Sequence, residues 1–270
     1  MPSYAVIGGS RGIGLELVRQ LAMSADNTVF ATVRNKSSST YLNELVAKST
    51  LSNIHVLEAE VTDHRTLKAA AAAVAKVTNG SLDVLIHNAA RMELANAYRG
   101  LTDYEDDDKL DTEFLDSFKV NVLGAIHAVN AFLPLLRKGS AKKIAVIGSE
   151  GGTPEFVWKL RLSNMAAYGT TKAAENLVAV KYAALLEPEG FTVVGICPGF
   201  VDTSSTAVEK PDDTIMSILG GLVARLPAIS TNFTLISTEA SVTRILSLVD
   251  SISTKDNGSF IEYVEYKKDD

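Results

Sequence analysis

Seven short apolar runs, most of them without polar alternation and separated by helical stretches, constrain this chain's fold more than any other feature. They lie near residues 3–8, 28–33, 54–58, 82–87, 142–148, 191–197 and 259–264. Most are rich in Val and Ile. A strand with one wet face alternates apolar and polar residues, whereas a strand covered on both faces does not. Between the runs, Gly12 to Ala25 carries Ile13, Leu17, Val18 and Leu21 at helical spacing. Asp63 stands as the N-cap of an Ala-rich segment that ends near Gly80. Residues 112–136 and 165–186 are long helix candidates, the second stopped by Pro188 and Gly190. Strands alternating with helices predict the α/β class: a single doubly wound domain over residues 1–270, with a parallel sheet of about seven strands and helices on both faces.

Two segments depart from this pattern. Arg91 to Leu110 reads as a polar, solvated loop with an acidic cluster of Asp103, Glu105, Asp106, Asp107 and Asp108, a cation site being the alternative reading. Ser204 to Ser237 is apolar but irregular, and reads as a cover over a site.

Charge and cysteine usage exclude several functions. A net charge of −6 argues against a nucleic-acid surface. The single cysteine, Cys197, reads as a small buried hydrophobe and excludes an internal disulfide framework. Four scattered His and no Cys pair offer no structural zinc site, so no metal is expected. Tyr4-Ala5-Val6-Ile7 reads at once as a buried strand rather than a secretory leader. No uncharged apolar run approaches the roughly 20 residues that span a bilayer. The longest candidate, Thr214 to Ser230, contains Arg225 and Pro227. A cytoplasmic protein is expected, and the Asn-x-Ser/Thr matches at Asn35, Asn79, Asn232 and Asn257 are read as chance.

The first strand runs into Gly8-Gly9-Ser10-Arg11-Gly12-Ile13-Gly14 and then a helix. Glycines there let backbone approach a pyrophosphate, and the helix N-terminus attracts its charge. The spacing is G-x-x-x-G-x-G, not the G-x-G-x-x-G of many dinucleotide loops. An acid at the end of the second strand would hold the ribose 2′-hydroxyl of NAD. This chain has Val33-Arg34-Asn35-Lys36-Ser37 instead. Arg34, with Arg11 in the loop, suits a 2′-phosphate clamp, which favours NADP(H) over NAD.

Tyr168 and Lys172 stand four residues apart in a helical segment, so they share one face. The ammonium is expected to lower the phenol's pKa from about 10 and ready it for proton transfer. Tyr263 and Lys267 repeat the spacing. They lie in a β-like segment, where residues four apart are about 13 Å apart, so that pair is set aside.

In this order and context, the residues resemble the short-chain dehydrogenase/reductase family over essentially the full chain. Gly8-x-x-x-Gly12-Ile13-Gly14 is similar to its cofactor loop, and His87-Asn88-Ala89-Ala90 to its Asn-Asn-Ala-Gly signature. Asn121-Val122-Leu123-Gly124 resembles its Asn-Val-x-Gly. Ser149 takes the place of its serine, and Tyr168 and Lys172 match its Tyr-x-x-x-Lys. Cys197-Pro198-Gly199-Phe200-Val201-Asp202-Thr203 resembles its Pro-Gly segment. The gap between Ser149 and Tyr168 is long and holds Phe156, Trp158, Lys159 and Arg161. That length resembles the branch of C-factor-like and sniffer-like carbonyl reductases. There are departures: Ile7 replaces the usual Thr, Glu60 an Asp, Gly148 a Ser and Ala90 a Gly.

The resemblance implies a Rossmann fold and hydride transfer between the nicotinamide of NADP(H) and a small-molecule carbonyl or alcohol. Tyr168 would donate a proton to the developing alkoxide, and Lys172 would tune it and bond the nicotinamide ribose. Ser149 would hold the substrate oxygen, and Asn121 would support a water chain through Lys172. Gly8, Ser10, Arg11, Gly12, Ile13, Gly14, Arg34, Glu60, Val61, Asn88, Ala89, Pro198, Gly199, Val201 and Thr203 would contact the cofactor, with Tyr168 and Lys172. Residues 1–150 would form the cofactor half and 150–270 the catalytic half, with a lid over about 204–237. Within it, Ile215, Met216, Ile218 and Leu219 suggest either an apolar substrate or a helix packed on the domain. His87, a strand-end residue, reads as structural. The long helices at 112–136 and 165–186 resemble those that form homodimers and homotetramers, although some carbonyl reductases are monomers. A non-catalytic NADP(H)-binding sensor on the same fold is the alternative function.

Overall fold

Nine strands and nine α-helices are present among the residues that the computed structural model describes, which are 1–208, 213–228 and 234–263. The strands are β1 (Ser3–Ile7), β2 (Thr28–Val33), β3 (Ile54–Glu58), β4 (Val84–His87), β5 (Lys143–Ile147), β6 (Thr192–Ile196), β7 (Phe200–Asp202), β8 (Leu235–Ser237) and β9 (Phe260–Ile261). The helices are α1 (Gly12–Leu21), α2 (Thr40–Lys48), α3 (His64–Thr78), α4 (Asp107–Phe118), α5 (Gly124–Leu136), α6 (Pro154–Lys159), α7 (Ala166–Leu186), α8 (Asp213–Arg225) and α9 (Thr238–Ser251). Seven strands form one parallel sheet in the order β3-β2-β1-β4-β5-β6-β9, and β7 pairs with β8 apart from it. The strand order reverses direction between β1 and β4. In open α/β sheets this switch point leaves a crevice at the carboxyl ends of the strands.

Successive strand residues feed opposite layers, which is why the runs lack alternation. Ala5, Ile7, Phe30, Leu85, Ile144 and Val193 pack in one cluster with α3, α5 and α7. Tyr4, Val6, Val29, Ile86, Ala145 and Ile196 pack in the other with α1 and α9. All seven runs of the sequence contain a strand of this sheet. The last is shorter than its run: β9 ends at Ile261, Tyr263 lies past it, and residue 264 and Lys267 fall outside the described residues.

Asp63 caps α3 by accepting from the Arg65 amide at 2.9 Å, and Asn79, at φ +54°, ends it. The acidic cluster is not simply a solvated loop. Asp106 caps α4 by accepting from the Lys109 amide, and Asp107 and Asp108 occupy the first turn, where the helix dipole favours negative charge. The helix therefore begins five residues before Thr112. Glu105 clamps Arg99 at 2.7 Å, and Asp103 accepts from the Gly100 amide at 2.7 Å. Ser204 to Ser237 is likewise more regular than expected, holding α8 and β8; its residues 209–212 and 229–233, including Asn232, lie outside the described residues. The rod Asp107–Leu136 is long and apolar enough to cross a membrane by composition, and more than half of its apolar window is buried inside the fold.

Candidate active site

The glycine loop closes the end of β1 against the ends of β2 and β4. Gly8, at φ +87°, and Gly9 donate their amides to Thr32 O at 3.2 and 2.9 Å. Gly8 N also donates to Thr32 Oγ1 at 3.1 Å. Thr32 thus supplies the side-chain bond that Ile7, standing for the family's Thr, cannot make. A Cβ on Gly14 would sit 1.9 Å from Gly8 O and 2.5 Å from Asn88 Nδ2, and a Cβ on Gly8 would meet Ala89. Asn88 Nδ2 donates to Gly8 O at 2.9 Å. Gly12 N donates to Thr206 Oγ1 at 2.8 Å, with Thr203 alongside.

This cradle fits a dinucleotide: its glycines leave no room for a Cβ at Gly8 and Gly14, and the N-terminus of α1 follows at once. Ser10 lies in the same loop. The Arg11 and Arg34 side chains flank it, exposed and with no hydrogen bond or ion pair among the described residues. Glu60 and Val61 lie past β3; Glu60 Oε1 accepts from Thr62 N at 3.3 Å, and Val61 is buried against Gly124.

Asn121 sits in a π-helical turn, Lys119–Leu123, that joins α4 to α5. Such turns insert an extra residue and occur often at functional sites. Its Oδ1 accepts from Arg91 N at 2.6 Å, and its Nδ2 donates to Arg91 O at 3.0 Å and to Thr171 Oγ1 at 2.9 Å. Both amide hydrogens are therefore taken by protein. Ser149 follows β5, and its Oγ accepts from Gly151 N at 3.1 Å. Gly148 is required beside it, because a Cβ there would meet Asn176 Oδ1 at 2.5 Å and Phe260 at 2.7 Å. The start of α7 is pinned by Met165 N and Ala166 N, which donate to Ala97 O and Arg99 O. The helix then carries Tyr168 and Lys172 into the site.

Lys172 Nζ donates to Ile147 O at 2.9 Å and to Glu175 Oε2 at 2.6 Å, and lies 5.8 Å from the Tyr168 ring centre. Burial works against its charge, but Glu175, then Tyr168, hold the ammonium above its ordinary pKa. Tyr168 corrects the expectation of a lowered phenol. Burial pushes its pKa up, and Glu175 adds to this. Lys172 and a hydrogen bond with Ser149 pull it down, but by less. Tyr168 lies deep among protein groups while keeping part of its surface on the crevice side.

A cleft of about 840 Å³ joins these elements. Ile13, Ser149, Tyr168, Pro198, Gly199, Val201 and Thr203 line it. Met92, Leu101, Phe156, Leu222 and Leu226 add apolar lining. Phe156, Leu160, Leu222 and Leu226 form a small core of their own, and Arg225 Nη1 donates to Leu160 O at 3.0 Å. In the expected lid it is therefore Leu222 that faces the cleft from α8; Ile215 is buried and Met216 is exposed. Trp158 is also exposed, under the Arg161 guanidinium at 3.7 Å.

Residues 3–214 match the family model described as short chain dehydrogenase. The chain belongs to the short-chain dehydrogenase family. Among its relatives, the short-chain dehydrogenase/reductase atnB of Arthrinium sp. is 38% identical over 259 residues, covering 96% of each chain. The short-chain dehydrogenase/reductase AacuF of Aspergillus aculeatus is 37% identical, covering 99% of each. Among solved structures, the NADPH-bound carbonyl reductase from chicken fatty liver is similar with a TM-score of 0.75 at 26% identity, over 97% of this chain and 96% of that one. The carbonyl reductase Sniffer of D. melanogaster shares the fold with a TM-score of 0.76 at 24% identity, over 97% of both chains.

This short-chain dehydrogenase also uses residues that the sequence reading passed over. Thr32 and Thr206 hold the glycine loop, Thr171 ties Asn121 to α7, and Asn176 Nδ2 donates to Ser149 O at 3.4 Å. Glu175 and Asn176 stand three and four residues beyond Lys172, on the face that Lys172 shares. That spacing is the one signal by which they were findable. Tyr263, the other half of the rejected pair, packs instead against Gly199 and lies 4.9 Å under the Arg244 guanidinium.

Proposed function

We propose that the protein is an NADP(H)-dependent oxidoreductase that reduces a ketone or aldehyde to an alcohol, with Tyr168 as general acid. The observation that carries this reading is that Ser149 and Tyr168 both line the cleft that also meets the glycine loop at Ile13 and the segment Pro198–Thr203. NADPH, when bound, supplies the hydride. Ser149 holds the substrate oxygen within reach of the Tyr168 hydroxyl, which delivers the proton as negative charge grows on that oxygen. Lys172, fixed by Ile147 O and Glu175, keeps a positive charge beside the phenol and reaches the nicotinamide ribose with its remaining proton. Since both amide hydrogens of Asn121 are engaged, its part in a proton-supplying water chain falls to its carbonyl groups.

Gly8, Ser10, Gly12, Ile13 and Gly14, with Asn88 and Ala89, would hold the pyrophosphate. Arg11 and Arg34 would hold the 2′-phosphate, and Glu60 and Val61 the adenine. Pro198, Gly199, Val201 and Thr203 would hold the nicotinamide. The division into a cofactor half and a catalytic half follows from these roles. The apolar lining formed by Phe156, Leu222 and Leu226 favours an apolar substrate. Exposed Leu115 and Leu123 on the α4–α5 rod, and Leu177 and Val180 on α7, suit a homodimer or homotetramer, to be read by light scattering. A cytoplasmic location completes the proposal.

Tyr168→Phe tests it. The variant should bind NADPH as wild type does, followed by nucleotide fluorescence, and lose turnover by about 10²-fold or more over a panel of aldehydes, ketones and quinones. Turnover retained by the variant overturns the assignment of the acid. Wild type that binds NADPH and turns over no member of the panel supports a sensor instead.

A further inference from the structure

His87, Lys172 and Glu175 are sealed together behind the catalytic face of α7, at 0%, 2% and 0% exposure. Glu175 divides its two oxygens between them. Oε2 takes the Lys172 ammonium at 2.6 Å, and Oε1 faces His87 Nε2, on β4, at 3.5 Å. Oε1 and both His87 nitrogens have no hydrogen-bond partner among the described residues. A buried carboxylate is costly to hold: burial pushes the Glu175 pKa above its ordinary value against the pull of Lys172, and an apolar side chain would fill the same space at less cost. The motif Tyr168-x-x-x-Lys172 does not itself call for one.

We propose that Glu175 is a positioning residue of the reaction: its carboxylate, held between Lys172 and His87, fixes the ammonium beneath Tyr168 and partly cancels its field at the phenol. This inference rests on the reading of Tyr168 as the acid. The groups that face the cluster support it. From β4, His87 is held down to about 3 by burial and then by Lys172, so it is neutral and sets no charge against Glu175. From the segment after β6, the Cys197 thiol is pushed up to about 12 by burial and then by Glu150, so it is neutral too. From the segment after β5 come the Ser149 hydroxyl and Glu150, whose Oε2 lies 3.3 Å from Cys197 Sγ. Lys172 and Glu175 are thus the opposed charges that act directly on Tyr168, one pulling its pKa down and the other pushing it up.

The sign follows. Reduction needs the protonated phenol, so kcat/KM falls as pH rises through the Tyr168 pKa. Removing the carboxylate's charge takes the one negative neighbour from the coupled pair of Lys172 ammonium and Tyr168 phenol, so the pair sheds its first proton at lower pH whichever group gives it up. Glu175→Gln, nearly isosteric, should therefore move the alkaline limb of carbonyl reduction down by about one pH unit. The acid limb of alcohol oxidation, which needs the phenolate, should move down equally. A purely structural glutamate would lower stability or kcat at every pH and leave both limbs in place. Glu175→Asp, which retracts the charge by a methylene, should shift both limbs in the same direction by less, and serves if the Gln variant does not fold. Limbs that stay put or move up overturn the inference, while turnover in Tyr168→Phe overturns the underlying assignment of the acid instead.

Discussion

Asn121 Nδ2 and Thr171 Oγ1 meet at 2.9 Å, across the gap between the α4–α5 rod and α7. Thr171 Oγ1 in turn donates to Tyr168 O at 2.9 Å, and Thr171 precedes Lys172. The π turn is therefore tied to the turn of α7 that carries Tyr168 and Lys172. The other two bonds of Asn121 hold the Arg91 peptide just beyond β4.

Asn121→Leu should leave the Arg91 amide, the Arg91 carbonyl and one bond of Thr171 without their partner. At about 1 kcal/mol or more for each buried orphan, unfolding in urea should lose about 3 kcal/mol with an unchanged m-value. A loss below about 0.5 kcal/mol would mean that water replaces the side chain, and would remove Asn121 from the scaffold of the site.

Gly14→Ala places a methyl against the Gly8 carbonyl, which is backbone and cannot swing away. Either α1 or the loop must shift. NADPH affinity should fall by about tenfold or more, since overpacking costs about 1–3 kcal/mol. Fluorescence titration measures this, and an unchanged Kd would show that the cradle does not hold the cofactor.

The sheet was legible because each buried strand is a dense apolar run bounded by turns, and the seven runs bracket β1 to β6 and β9 closely. α9 is equally legible, with Ser237 capping it and Val242, Ile245 and Val249 on its buried face, although the apolar runs and long helix candidates leave Thr238–Ser251 unassigned. α2 offered almost no signal, since Leu42 is its one fully buried residue. The residues proposed for catalysis stand out in the sequence by order and spacing. Their electrostatics do not. A carboxylate three residues after a lysine reads as an ordinary exposed helix pair. Only the packing of α7 over the sheet, with His87 of β4 and Ile147 of β5 beneath it, buries both charges, and that burial reverses the expected shift of the Tyr168 phenol. The extra residue of the π turn is hidden as well, because apolar spacing continues on both sides of Asn121.

Arg34→Ala tests the choice of dinucleotide. If the exposed guanidinium meets a 2′-phosphate, its loss removes charge-assisted hydrogen bonds of about 1.5–3 kcal/mol. NADPH affinity should fall by roughly 10- to 100-fold while NADH affinity stays within about twofold. Equal losses for both would show that Arg34 acts on the loop rather than on the phosphate.

Asp83 carries a prediction about acid stability. It stands at the start of β4 and accepts from Ser3 N and Oγ at 2.9 and 2.8 Å, and from Ser140 N and Oγ at 2.9 and 2.8 Å. One carboxylate thus ties β1 and the turn before β5 to β4. Burial would raise its pKa, but the Ser140 hydroxyl and amide, then those of Ser3, outweigh it and hold the carboxyl below its ordinary value. A depressed folded pKa means that the unfolded chain binds the proton more readily. The stabilisation is then complete above the unfolded value near ~4 and is lost as pH falls through the lower folded value. Asp83→Asn keeps one acceptor oxygen and replaces the other with a donor facing donors. It should lower the urea midpoint at pH 7, at a cost of about 1–3 kcal/mol. The gap between wild type and variant should narrow as pH drops below about 4, because the wild-type carboxyl then takes up a proton itself. A gap that stays constant down to pH 2 would show that the four bonds are not what the charge contributes.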